Sequence, residues 1–549
     1  MGSTIDHVFN VYRGTFIQLS RPVAPGAKPE LCRDQGALWV STTDGRIRGW
    51  NWEARDEENF VTLMIEKGWV DLESAEPTGV SHDAPRIGIK VIKANEERNE
   101  FFFPGFIGTF FGHISQKLPD WQADTHIHAP QYPNAGLFGS TTLLDWLDTY
   151  TFPVESKFGE QPDPNTGHQL KTDPKYTPIP AQQIYDQVIA RTLSHGTTCA
   201  SYFATIHVPA TNALAALCHT RGQRAFIGRV CMDEPKFCPK YYCDFSADDS
   251  ITATRDTIDF IHSLDPTGQL VKPILTPRFA PTCSRPALKA LGDLAAEFDP
   301  PLHIQTHISE NLNEVALVKE LFPEAHSYAG VYDDYNLLTR RTILAHAVHL
   351  SATERKLVRE RESKISHCPA SNSSLGSGIC PVRTLLDEGI TVGLGTDVSG
   401  GYSPSILEAT RQACLASRLL GHTAQWKEDH PDPQDDEGRE KLSVAESLYL
   451  ATRGGAAVVD MAEDLGGFDT GMLWDVQLIQ LGAVKEAERS PLETFTNGEG
   501  SLVAAGPVGN VDIFGTETWE EKIQKWVWSG DDRNVKAVWV GGRLVHSRS

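Results

Sequence analysis

The sequence predicts an α/β protein: a (β/α)8 TIM barrel with a small β-sandwich domain formed by both termini. Three observations carry this. Strand-like and helix-like segments alternate through the middle of the chain, residues able to bind a metal recur at the ends of those strands, and the two termini show only short strands and turns. The expected divisions are residues 1–103 and 459–549 for the composite β domain and 104–458 for the barrel.

Candidate barrel strands, rich in β-branched residues, are Asp124–His128, Thr197–Thr205, Arg224–Met232, Val271–Ala280, Leu302–Ile308, Thr342–Leu350, Lys364–Ala370 and Ile390–Asp397. Helices begin at capping boxes, Ser351-Ala-Thr-Glu354 and Ser443-Val-Ala-Glu446, and the stretches from Pro286 to Phe298 and Leu312 to Leu321 repeat apolar residues every three or four positions. Residues 8–103 lack long helical periodicity. Trp474–Gln480 and Val535–His546 read as strands, the latter a hairpin turning at Gly541-Gly542. His430–Glu437, acidic with two prolines, and the glycine-rich Gly498–Gly509 read as loops.

Composition excludes several functions. Fifty Lys and Arg against 72 Asp and Glu leave a net charge of −22, which opposes a nucleic-acid surface. Ten cysteines without a Cys-x-x-Cys pair suit reduced thiols in a cytosolic protein. The start has neither a basic nor an apolar signal region, Asp6 stands where myristoylation wants Ser or Thr, and no apolar run approaches the ~18 residues of a membrane span. The expectation is a cytoplasmic protein with no membrane and no nucleic-acid partner.

Asp124-Thr-His126-Ile-His128 is the most informative string. Residues i and i+2 of a strand face one way, so His126 and His128 converge on the barrel axis. His307, His346 and Asp397 fall at the ends of the expected fifth, sixth and eighth strands, where barrel enzymes build their sites. Imidazoles with one carboxylate suit Zn²⁺, with Fe²⁺ as runner-up, and leave a position for a water whose pKa falls to about 7 on zinc. His303 and Gln305, deeper in the fifth strand, read as interior polar residues, and His195 as structural; His207 is ambiguous. The His-x-Glu and Pro-Cys-x-x-Cys strings that build one class of zinc site are absent, as is a phosphate-binding Gly-x-x-x-x-Gly-Lys.

With Phe103-Pro-Gly-Phe-Ile107 before it, the Asp124–His128 string resembles the metal motif of the amidohydrolase superfamily, and His307, His346 and Asp397 match its later ligands. Ala129-Pro-Gln131-Tyr, Thr276-Pro-Arg278-Phe279, His307-Ile-Ser-Glu310, Ser366-His-Cys-Pro-Ala-Ser-Asn372 and Gly395-Thr-Asp397-Val-Ser-Gly400 resemble the eukaryotic guanine deaminase branch of that superfamily.

The resemblance implies hydrolysis of guanine to xanthine and ammonia, one zinc per subunit on His126, His128, His307 and Asp397, and a homodimer. It implies catalysis by Glu310, Asp397 and His346, where His346 either ligates the metal or polarises the attacked carbon. It also implies a substrate site of His128, Ala129, Pro130, Gln131, Arg278, Phe279, His307, Glu310 and Asp397. The amide would pair with a purine edge, the guanidinium with the C6 carbonyl, and the ring would stack. The rivals are another aminohydrolase of the superfamily, adenosine-type or triazine-directed, and a non-catalytic barrel scaffold.

One departure stands out. In the family pattern Pro-Gly-Phe-Ile runs directly into Asp-Thr-His-Ile-His, whereas here the 16 residues 108–123 intervene. They read as translated intron sequence absent from the natural enzyme or, if real, as a loop at the N-terminal face that leaves the metal site formed.

Overall fold

A computed structural model describes residues 6–73, 86–106, 124–159, 177–423, 426–427, 438–482 and 509–548. Segment 108–123, the acidic run 430–437 and nearly all of 498–509 lie outside the described residues. Eight strands run in sequence order through one parallel sheet, Asp124–His128, Cys199–Phe203, Arg224–Gly228, Val271–Pro277, His303–Ile308, Thr342–His346, Lys364–His367 and Val392–Leu394, and a ninth, Val230–Cys231, pairs beside the fourth. Most are buried along their whole length, as a parallel sheet covered on both faces requires. Helices return the chain between strands. Leu312–Leu321 spans its expected range, and the capping boxes at Ser351 and Ser443 are both formed.

The barrel closes just past its last strand. The Asp397 amide donates to the His126 carbonyl at 2.9 Å, and the His128 amide donates to the Val398 carbonyl at 3.1 Å. This seam lies at the C-terminal ends of the strands, beside the residues singled out by sequence.

Both termini build the second domain, and its nine strands join into one mixed sheet. Strand Glu100–Pro104 pairs in parallel with His7–Leu19 and antiparallel with Val476–Gln480, so it knits the two ends together. Tyr12, Phe16, Phe102 and Trp474 form its aromatic core. The Gly541-Gly542 turn has φ of 53° and 76°, the left-handed values that a type I′ hairpin demands. Buried Arg224 ties barrel to sheet through Asp475, at 3.2 and 3.0 Å.

The terminal regions also hold two helices that the sequence reading omits. Glu57–Lys67 is capped by Asp56 and ends at Gly68 with φ of 66°. Trp519–Ser529 carries a capping box of Thr518 and Glu521 and packs Trp526 against Phe103 and Phe106. Among the described residues no helix is long and apolar enough to cross a membrane.

The strand register bears on segment 108–123. Phe106 bridges Thr197 and Ile127 pairs with Tyr202. To Asp124, which pairs with Ala200, this chain advances 18 positions (124 − 106) where its neighbour advances 3 (200 − 197), an excess of 15; a register shift between Asp124 and Ile127 makes it 16 at Ile127. That excess lies within one residue of the 16 residues 108–123, so a chain without the segment keeps the flanking pairings to within the shift already present between Asp124 and Ile127. A variant lacking 108–123 is expected to fold and to bind the same metal equivalents per chain as the 549-residue protein, as read by elemental analysis. Metal lost on deletion, or gained only on deletion, would contradict this.

Candidate metal centre and base pocket

The first strand presents His126 and His128 inward with equal parity. The fifth adds His307, and the turn after the eighth adds Asp397, whose backbone sits at φ 46°. Four donor atoms converge. His128 Nε2 lies 3.2 Å from both His126 Nε2 and His307 Nε2, and Asp397 Oδ1 lies 3.2 Å from His126 Nε2 and 3.4 Å from His128 Nε2.

Donors bound at about 2.0–2.1 Å to one tetrahedral ion stand about 3.3 Å apart, so this spacing is what a divalent ion at the centre produces. The protonation states agree. Burial holds the His128 and His307 imidazoles well below their ordinary pKa, in the neutral form that ligates. Burial opposes ionisation of Asp397 as well, but the imidazoles around it, His126 foremost, bring it down to about 2. The Nδ1–H of His307 donates to the Arg278 carbonyl at 2.6 Å, which leaves Nε2 for the cluster.

His346 ends the sixth strand and stands beside this group. Its Nδ1 is held by Asn372 Oδ1 at 2.9 Å, and its Nε2 lies 3.3 Å from Glu310 Oε2 and 3.7 Å from Asp397 Oδ2. A second donor set, His126, His346, Cys368 and Asp397, is also geometrically possible, with atoms within 4.8 Å of one another. Two of its members already belong to the tighter set, and burial keeps the Cys368 thiol protonated. Glu310 is fully enclosed, and burial raises its carboxyl to about 7 although His346 pulls the other way. Ser377 Oγ donates to Glu310 Oε1 at 3.0 Å, so Oε2 faces His346.

A pocket opens on these groups. Its polar wall includes Gln131, Arg278, Glu310 and His346; its apolar wall includes Phe279, Leu143, Trp146, Leu147 and Leu375. Ala129 and Pro130 begin the 3₁₀ turn Ala129–Asn134, whose first three residues are buried, and Gln131 is the one of these that reaches the pocket. Arg278 and Gln131 both donate to Glu155, the guanidinium at 2.7 and 3.1 Å and the amide at 2.7 Å.

Sequence reasoning missed Glu155, Ser377 and the leucine–tryptophan wall. Asn372 was legible only as part of the Ser366–Asn372 run. Glu155, Leu143, Trp146 and Leu147 all lie in the helical excursion after the first strand, where no short motif marks them.

A parallel barrel with three imidazoles and a carboxylate at its strand ends defines a metal-binding hydrolase barrel. Residues 101–545 match the amidohydrolase family, and the chain belongs to that family. Curated relatives narrow the comparison. A probable guanine deaminase of Schizosaccharomyces pombe is 46% identical over 446 residues, 81% of this chain and 71% of its own. The guanine deaminase of Homo sapiens is 38% identical over 447 residues, 81% of this chain and 83% of its own. Among solved structures, guanine deaminase from C. acetobutylicum with bound guanine in the active site superposes with a TM-score of 0.69 at 26% identity, covering 98% of this chain and all of its own.

Replacing His307 by Ala is expected to lower bound divalent metal at least tenfold at fixed free metal, since one of four ligands is lost. Glu310→Ala is expected to leave metal content unchanged, both measured by elemental analysis after gel filtration. Full metal content in His307→Ala would remove His307 from the ligand set.

Proposed function

We propose that the protein is a guanine deaminase, hydrolysing guanine and water to xanthine and ammonia. The observation that carries this is one cavity in which Arg278 and Gln131 face a metal-donor cluster with Glu310 beside it. Relatives named guanine deaminase over four fifths of the chain support the same reading. His126, His128, His307 and Asp397 would hold the ion, read as one zinc per subunit with iron as the alternative, and when bound it supplies a water of pKa near 7.

The chain's own groups divide the remaining work. Asp397, ionised at neutral pH, accepts the proton of the attacking water. Glu310, with a carboxyl raised to about 7, is poised to protonate a purine ring nitrogen, to be recharged by the proton that Asp397 took and to pass it to the departing ammonia; the proton released as the C2 hydroxyl becomes a carbonyl restores Glu310. His346 lies against both carboxylates and supports that transfer. Its Nδ1 partner Asn372 directs Nε2 towards them.

Arg278 and Gln131 grip the base, the guanidinium on the C6 carbonyl, while Phe279 supplies a stacking face. His128, His307 and Asp397 bound the site on the reacting side, and Ala129 and Pro130 shape the turn that delivers Gln131. Adenine lacks the carbonyl, which disfavours an adenosine-type activity. The family resemblance further supports a cytoplasmic homodimer, and no partner beyond the substrate is invoked.

The purified protein is expected to deplete guanine absorbance with little effect on adenine, cytosine or 8-oxoguanine. Glu310→Ala should reduce guanine turnover by about 10²- to 10⁴-fold. Equal rates on guanine and adenine would contradict the substrate assignment, and activity retained in Glu310→Ala would remove the role given to that residue.

A further inference from the structure

Glu155 carries a chemistry that the proposed reaction does not use. It ends the short helix Phe152–Glu155, is fully buried, and receives four hydrogen bonds. Two come from Arg278, at 2.7 and 3.1 Å; one comes from the Gln131 amide nitrogen and one from the Tyr242 hydroxyl, each at 2.7 Å. The guanidinium also lies 5.0 Å over the ring of Phe152, from the same helix.

An ionised carboxylate only accepts hydrogen bonds, so it dictates the orientation of its neighbours. It must face the nitrogen of Gln131, and the Gln131 oxygen correspondingly takes the Ser399 amide at 3.3 Å and hydroxyl at 3.4 Å. With its oxygen engaged, the amide is locked against flipping. Arg278 is paired along one edge, and a planar guanidinium has donors on its other edges as well. The cavity wall at this point is therefore made of N–H donors, and its positive charge is cancelled in place.

Two donor groups fit the edge of guanine, where O6 and N7 both accept, and oppose the edge of a 6-aminopurine, where an amino donor replaces the carbonyl. We propose that Glu155 is the positioning residue for base specificity, holding Arg278 and Gln131 as a donor pair that selects a 6-oxo over a 6-amino purine. The inference rests on the guanine deaminase reading.

The test compares guanine with 2,6-diaminopurine, which keeps the reacting 2-amino group and differs at C6. Wild type is measured first, and no turnover of guanine there overturns the function rather than this inference. In Glu155→Gln the new side chain brings an N–H₂ against two donors. The guanine to 2,6-diaminopurine ratio of kcat/KM is expected to narrow by about 10- to 100-fold, mostly through a raised KM for guanine, with metal content unchanged. A purely structural role would depress both substrates alike and leave the ratio as it was, and that result overturns the proposal. Should Glu155→Gln fail to fold, Tyr242→Phe removes a single hydrogen bond from the same carboxylate. It is expected to narrow the ratio by about 3- to 10-fold, and an unchanged ratio there overturns the proposal equally.

Discussion

Closure of the barrel between its first and last strands is the constraint on which the site depends. Two backbone hydrogen bonds, from the Asp397 amide to the His126 carbonyl and from the His128 amide to the Val398 carbonyl, make the seam. They set the carboxylate of Asp397 within 3.4 Å of two imidazoles that strand parity already points inward. The fifth strand then needs only one residue, His307, oriented by the Arg278 carbonyl, to complete the donor set. Barrel geometry thus does most of the assembly, and the side chains inherit their positions from it.

Electrostatics separates the two carboxyls proposed to be catalytic, which share an enclosed space. Asp397, ringed by imidazoles, is held near 2, whereas Glu310, enclosed with one imidazole and a serine, rises to about 7. One therefore stays ionised while the other exchanges a proton near neutrality, the division that an acid–base pair requires. The base pocket obeys a different rule. Its charge is neutralised by a buried ion pair, which suits a neutral purine and makes the chain's net charge of −22 a property of its general surface.

What the sequence made legible follows from how local each signal is. The barrel strands were legible because β-branched runs are contiguous, and His126, His128, His307, Asp397 and Glu310 because each sits in a short string at a strand end. Helix Leu312–Leu321 matched its expected bounds for the same reason. Glu155 was not legible, since its meaning arises only when Arg278, Gln131 and Tyr242, from three distant segments, meet it. Leu143, Trp146 and Leu147 drew no reading from the sequence, which carries no sign that a pocket lies against them. The helix Trp519–Ser529 did carry a local signal, the Thr518/Glu521 capping box, which a terminus otherwise rich in strands obscured.

The central claim is that His126, His128, His307 and Asp397 hold one divalent ion. X-ray absorption at the zinc edge of the metal-loaded protein tests it most directly. The account predicts a first shell of nitrogen and oxygen at about 2.0–2.2 Å, with imidazole scattering and no sulfur. A sulfur shell at about 2.3 Å would place the ion on Cys368 in the alternative donor set and contradict the account.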